Sequence, residues 1–280
     1  MSGILYVVAT PIGNLDDLTY RAVKTLQEVD FLAVEDTRVT VKILNHLQIK
    51  KPMISYHEHN LTQRGEPIIE RILKGEHCAL CCDAGTPAIS DPGQVLVEKA
   101  HENGIKVVPI PGPSAFVAAL SAGGQETGRF VFEGFISVNK KQRQERLNEL
   151  KQEQRTIILY EAPHKLPATL KDLEETFGKD RPVTIARELT KIYEEIYVTT
   201  LGEAAQNYTE NKPKGEFVLI IAGAEPKKKD EFTLEQAAQI AKEYLKRGES
   251  TSSAAKLAAQ ETGLAKGEIY KMILEENKAE

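Results

Sequence analysis

The residues best suited to chemistry gather in three short loops. Thr10-Pro11-Ile12-Gly13-Asn14, the stretch CDAGTPAISDPG from Cys82 to Gly93, and Pro111-Gly112-Pro113-Ser114 each follow an apolar run and precede a helical pattern. Pro fixes φ, Gly opens conformations closed to other residues, and Asp, Ser and Thr bond back to the backbone, so each loop is expected to hold one shape. Each also opens a helix, whose first N–H groups lack intrahelical partners and whose dipole is positive at that end. Such loops suit a ligand held by main-chain contacts at the carboxyl ends of strands. Neither GxxxxGK[ST] nor GxGxxG occurs, so the expected ligand is nucleotide-like and carries no phosphate.

Metal chemistry has weaker support. Cys78, Cys81 and Cys82 stand beside His77, but structural zinc needs a second ligand pair, and a strand sends neighbouring side chains to opposite faces. They read as small apolar residues of a buried strand. His57 and His59 flank Glu58 without forming HExxH, and His164 follows a Pro, so no metal is expected.

The elements that would carry these loops alternate regularly. Ile4–Ala9, 30–34, 52–56, 78–82 and 106–110 read as strands, and continuous apolar runs such as the first belong to a parallel sheet buried on both faces. Helices are expected between them: one capped by Asn14 or Asp16 with Leu15, Leu18, Ala22, Leu26 and Val29 on one face, one over 37–47, one through Ile68 and Ile72, one from Val95, and one of small residues over 115–122. Five strand–helix units predict a parallel, helix-flanked first domain over 1–122. Gly123 to Gly128 is the candidate hinge.

Beyond it, strands are expected over 130–135, 156–160, 182–187, 193–200 and 216–222, some without helical crossovers, so the second domain, 128–224, should be mixed or antiparallel. Pro226-Lys227-Lys228-Lys229 reads as a linker to a small helical tail, 230–280. In that tail Ala259, Gly263 and Ile269 have helix-turn-helix spacing. Ten acidic and ten basic side chains from 226 onward give the tail no net attraction to phosphate, leaving a structural or docking role against a DNA-reading one.

Composition narrows the class. With 41% hydrophobic and 28% charged residues the chain is that of a globular protein, and a net charge of −5 argues against one that coats nucleic acid, so any such contact must be local. The start of the chain has no basic region ahead of its apolar residues and no stretch approaches a membrane span, so a cytoplasmic location is expected.

The loops, with Asp17, the VEDTR run of Val34 to Arg38 and PGPSA, resemble the N-terminal half of the tetrapyrrole methylase superfamily. The runs Glu133-Gly134-Phe135, Tyr160 to His164, Arg187 to Lys191, Tyr193 to Glu195 and Lys214 to Glu216 resemble one RNA-methylating branch of it. The resemblance covers roughly residues 4 to 223, and the tail is similar to that branch's helical extension. It implies a two-domain α/β fold with S-adenosylmethionine between the domains, 2′-O-methylation of a cytidine of 16S ribosomal RNA in the decoding centre of the small subunit, and a homodimer. It also implies that Pro11, Gly13, Asp83, Ala84, Gly85, Thr86, Ser90, Gly112, Ser114 and Ala115 line the cofactor pocket, completed by Tyr160, Glu161 and Ala162.

A ribose hydroxyl must lose its proton as the methyl transfers, so orientation and a proton acceptor are both required. Glu35, Asp36, Glu161 and Glu188 are candidates at expected strand ends, and near Arg38 and Arg187 they could equally be ion-paired scaffolding. Lys140, Lys141, Arg143, Arg146, Lys151 and Arg155 against Glu145, Glu149 and Glu153 read either as an arm tracking RNA phosphates or as a solvated helix face. Two rival functions are a corrin or porphyrin precursor methyltransferase and a ligand-sensing DNA-binding regulator.

Overall fold

The computed structural model describes residues 2–226 and 232–276. The chain divides into one compact unit up to Ala224 and a second from Glu225. Lys227 to Lys229 of the expected linker lie outside the described residues.

Within the larger unit the first sheet comprises β1 (Ile4–Val8), β2 (Phe31–Val34), β3 (Met53–Ser55), β4 (Cys78–Cys81) and β5 (Lys106–Ile110), in the order β3-β2-β4-β1-β5. Every pair is parallel. Helices α1 (Tyr20–Glu28) and α2 (Thr37–His46) cover one face through Ala22, Leu26 and Leu44; α3 (Leu61–Leu73) and α4 (Gly93–Glu102) cover the other through Ile68, Ile72, Leu96 and Ala100. Burial on both faces explains the unbroken apolar runs, and each buried Leu or Ile contributes about 2 kcal/mol. Cys78 and Cys81 enter opposite cores, as strand parity requires, and burial pushes their thiols well above the usual range.

The first helix differs from expectation. Asn14 caps only a short 3₁₀ turn, Leu15–Asp17, and α1 starts later, capped by the Thr19 hydroxyl, which accepts from the Ala22 N–H at 3.1 Å. Adjacent strands β1 and β4 send α1 and α4 to opposite faces, which opens a crevice at their carboxyl ends.

The second sheet comprises β6 (Phe130–Phe135), β7 (Thr156–Glu161), β8 (Pro182–Arg187), β9 (Glu195–Thr200) and β10 (Phe217–Ile221), in the order β6-β7-β10-β8-β9. Only β6 and β7 pair in parallel. Helices α6 (Lys140–Leu150), α7 (Leu166–Phe177) and α8 (Leu201–Glu210) cover one face. The other face is covered by α5 (Ala115–Ala122), whose Ala119 and Leu120 pack on Ile158, Val218 and Ile220. Thus α5 follows the first sheet in sequence and belongs to the second by packing.

Gly123 to Gly128 is consequently tethered and does not have the free backbone of a hinge. The Thr184 hydroxyl donates to the Gly123 carbonyl at 2.7 Å, Gln125 donates to the Thr184 hydroxyl at 3.2 Å, and the Thr156 hydroxyl donates to the Glu126 carbonyl at 2.6 Å.

The tail unit is a bundle of α9 (Leu234–Lys246), α10 (Thr251–Thr262) and α11 (Lys266–Glu276). Ala237, Ala238, Ala241, Ala254, Ala255 and Ala258 let the helices approach closely around Ile269 and Ile273. Gly263, at a φ of 76°, ends α10 in the left-handed conformation that its place in the pattern called for.

Candidate active site

A cavity of about 520 Å³ lies between the two sheets. From the first sheet it collects the residues just past β1, β2, β4 and β5: Ile12; Glu35; Cys82 to Thr86 with Ile89, Ser90 and Asp91; and Ser114 with Ala115. From the second it collects Phe135, the run Tyr160 to Pro163, Leu189, and Glu216 to Val218. Strand β10 runs antiparallel to β7 and β8, so its beginning meets their ends at the same sheet edge.

The three loops are stitched together below the cavity. Thr10 and Gly85 exchange backbone hydrogen bonds at 2.8 and 3.0 Å, the Thr10 hydroxyl donates to the Cys82 carbonyl at 3.2 Å, and the Thr86 hydroxyl donates to the Pro113 carbonyl at 2.9 Å. Inside the second loop the Asp91 carboxylate accepts from the Ala88 N–H at 2.9 and 3.0 Å and from the Gly93 N–H at 2.8 Å. These bonds hold Ala88 at a φ of 66°, a conformation that costs a non-glycine residue about 1–3 kcal/mol. Hydrogen bonds to a charged group offset it at roughly 1.5–3 kcal/mol each. Asp91 therefore shapes the wall.

Across the cavity the Tyr160 hydroxyl accepts from the Phe116 N–H at 3.1 Å, tying β7 to the first turn of α5. Burial raises its pKa, and Phe132 and Phe135 meet its ring edge at 5.0 and 5.6 Å.

The four candidate carboxylates separate clearly. Glu35 and Glu161 line the cavity; Asp36 and Glu188 do not. Asp36 caps α2 and forks onto Arg38 at 2.6–3.1 Å, which holds its carboxyl down at about 2. The Glu188 carboxylate accepts from Lys191 Nζ at 2.8 Å and from the Glu216 N–H at 3.0 Å, and the lysine lowers its pKa. Both are thus ion-paired.

Glu161, only 4% exposed, accepts from the Ala162 N–H at 2.8 Å and the Thr169 hydroxyl at 2.5 Å, so both oxygens hold the β7 end in place. Among the described residues the Glu35 carboxylate accepts only the Asp83 N–H, at 3.3 Å, while Asp83 in turn accepts the Asp36 N–H at 3.1 Å. Burial, ahead of the nearby Asp83 and Asp91 charges, pushes the Glu35 carboxyl above its usual range; burial does the same to Asp83.

Among the residues expected to line the pocket, Asp83 to Thr86, Ser90, Ser114, Ala115 and Tyr160 to Ala162 reach it. Pro11, Gly13 and Gly112 are not among its lining residues. Pro11 is buried, a Cβ on Gly112 would come within 2.9 Å of the Ala9 Cβ, and one on Gly13 would strike Lys191 and Thr190 at 2.5 and 2.8 Å. Gly13 thus allows the first loop to lie against the segment after β8.

Ile12, Ile89, Phe135, Leu189 and Glu216 to Val218 were not assigned to the site from sequence. For Phe135 and Glu216 the signal was present in the Glu-Gly-Phe and Lys-Gly-Glu runs. For the apolar residues nothing short of the sheet pairing would reveal it.

Among the described residues the lining carries five carboxylates, those of Glu35, Asp83, Asp91, Glu161 and Glu216, and no Lys, Arg or His, although Lys191 Nζ reaches the Glu216 carboxylate from outside it at 2.8 Å. Such a cavity attracts a cationic ligand and repels phosphate. Among the described residues no group of three or more His, Cys, Asp or Glu is placed to hold a metal ion, and no helix is long and apolar enough to cross a membrane.

The basic helix is largely paired internally. Arg143 donates to Asp172 at 2.5 Å and to Thr169 at 2.9 Å, Arg146 bonds Glu133 and Glu149, and Arg155 bonds Glu153. These three arginines are therefore engaged by carboxylates of the fold.

Residues 4–205 match the family of Tetrapyrrole (Corrin/Porphyrin) Methylases. Proteins named ribosomal RNA small subunit methyltransferase I are similar along nearly the whole length: that of Synechocystis sp. is 51% identical over 98% of both chains, and that of Halalkalibacterium halodurans is 46% identical over 98% of this chain and 96% of its own. The fold is shared with solved structures of lower identity. A cobalt precorrin-4 methyltransferase is 19% identical at a TM-score of 0.58, covering 77% of this chain and 93% of its own. A Thermus thermophilus uroporphyrin-III C-methyltransferase complexed with S-adenyl homocysteine is 17% identical at 0.56, covering 78% and 97%. The chain therefore belongs to the tetrapyrrole methylase family, in the branch whose members are named ribosomal RNA small subunit methyltransferase I.

Proposed function

We propose that the protein transfers a methyl group from S-adenosylmethionine to the ribose 2′-hydroxyl of a cytidine in 16S ribosomal RNA, at the decoding centre of the small subunit. The observation that carries this reading is the acid-only cavity, formed by stiff loops at strand ends in a chain of this family. A donor of net positive charge, with a sulfonium, an ammonium and a carboxylate group, fits an acidic lining with apolar walls supplied by Ile12, Leu189, Phe217 and Val218. When bound, the donor supplies an electrophilic methyl group. The backbone of Asp83 to Thr86 and the first turn of α5 would hold its polar end, with Tyr160 and Ala162 opposite.

The same charge excludes the RNA phosphates from the cavity, so only a ribose and its base can enter. Glu35 takes the proton. Its carboxylate has one weak hydrogen bond, and burial brings its pKa nearer to working pH, which improves a general base. As the oxygen–carbon bond forms and the carbon–sulfur bond breaks, the hydroxyl proton ends on Glu35.

The partners are 16S ribosomal RNA or the assembled small subunit, and a second copy of the chain. Ile192, Tyr193 and Val198, exposed at 95%, 73% and 63%, are apolar surface that a homodimer would cover; a monomeric mass in sedimentation would rule that out. For the reaction itself, labelled donor is incubated with small subunits lacking the modification. Label at a cytidine ribose is expected; none in RNA, with label on a corrin or porphyrin precursor, would overturn the reading.

A further inference from the structure

The run Glu133-Gly134-Phe135 has no part in the mechanism above, yet the structure gives each of its residues a distinct task. Glu133 forks onto Arg146 of α6 at 2.6 and 2.7 Å and is thereby anchored. The pairing of β6 with β7 slips there: Phe132 stands opposite Ile158, but Gly134, not Glu133, stands opposite Leu159, and Phe135 opposite Tyr160. One extra residue reverses the side-chain alternation beyond it. Val131 and Ile157 face the core under α6 and α7, and without the bulge Phe135 would face the same way. With it, Phe135 joins Phe132 and Tyr160 on the cavity face.

Gly134 makes this possible with a φ of 61°, and a Cβ there would sit 3.1 Å from the Ser90 Oγ of the facing loop. The result is an aromatic side chain 57% exposed at the cavity wall, held edge-on by the half-buried Tyr160. The lining also includes Ile89, 49% exposed.

A bulge, an anchored glutamate and a left-handed glycine together are an expensive way to expose a phenylalanine, so the exposure calls for a ligand with a flat apolar face. Resting on the function proposed above, we infer that Phe135 is the platform on which the target cytosine stacks once it leaves its neighbours, so fixing the ribose before Glu35. A nucleotide that enters the cavity leaves its stack to do so, and aromatic side chains receive unstacked bases. The acidic lining cannot grip the phosphates, which leaves the base face as the part of the nucleotide that can be held inside.

The test compares wild type, F135A and F135W in donor affinity by calorimetry and in methyl transfer to unmodified small subunits. F135A is expected to bind the donor as wild type does and to lose about 5- to 150-fold in kcat/KM for RNA, the range of one base stack, while F135W stays near wild type. A fluorescent cytidine analogue at the target position should be quenched by wild type and F135W and not by F135A. Unchanged transfer by F135A, an equal loss of donor affinity, or F135W as weak as F135A would each overturn the inference alone. A wild type that methylates no RNA would overturn the function reading and this inference with it.

Discussion

Glu35 and Asp36 are sequence neighbours with opposite environments. Alternation past the end of β2 turns Glu35 into the cavity and leaves Asp36 to cap α2 beside Arg38. The first carboxyl is raised by burial and the second lowered by its guanidinium. Replacing Glu35 with Gln should cut the methyl transfer rate by about 10²–10⁴-fold with donor affinity retained, read from single-turnover kinetics. Its stability effect has a fixed sign. A carboxyl raised in the folded state contributes its stability below the unfolded pKa and loses it as pH rises through the folded value, so E35Q should melt above wild type at neutral pH and lose that advantage below the ordinary carboxylate range. Glu188, committed to Lys191, should behave otherwise: E188Q is expected to lower the melting temperature slightly and leave the rate within about twofold. The sequence could propose all four carboxylates because each ends an expected strand. It could not rank them, since burial and partners such as Lys191 and Thr169 are set by tertiary packing.

At the scale of elements, the parallel sheet was legible because burial on both faces writes itself as unbroken apolar runs, and CDAGTPAISDPG announced its loop by composition. Helix α8 escaped notice although Thr200 and Glu203 form a capping box, because its ten residues lie between two strands that pattern alone would pair directly. The bulge in β6 is equally invisible: one surplus residue changes no composition. Helix α6 was read too simply. Its six surrounding cations looked alike in sequence, but Arg143 reaches through Thr169 toward buried Glu161 and packs the helix onto α7. R143A should therefore lower the melting temperature and disturb the β7 end. Lys140 and Lys141 stand in the first turn of α6, with Lys141 3.9 Å from the exposed Glu145, and we propose them as the phosphate contacts. The double variant K140A/K141A should weaken RNA binding and reduce its salt slope by roughly one to two while sparing donor affinity; a wild-type slope would refute this.

For the whole molecule, the described part of the tail folds around its own alanine core, and the lining of the cavity comes from the larger unit. Ending the chain at Pro226 is therefore expected to leave donor affinity and the melting of the remaining unit unchanged, measured by calorimetry. Loss of donor binding would show that the two units depend on each other. The division into a cofactor domain and a second domain, so natural in the sequence, does not show which sheet α5 packs on. Helix α5 is apolar nearly all round, which says it is buried and nothing about which sheet buries it. Because it leaves β5 and then seals the far sheet, the molecule has no seam at its middle. A split at Gly123 would strip the second half of the lid on its core, and a fragment ending at Ala122 would carry Ala119 and Leu120 bare into water. The larger unit should thus melt in one cooperative step, resist limited proteolysis between its sheets, and refuse the domain exchange that its two-part sequence seems to invite.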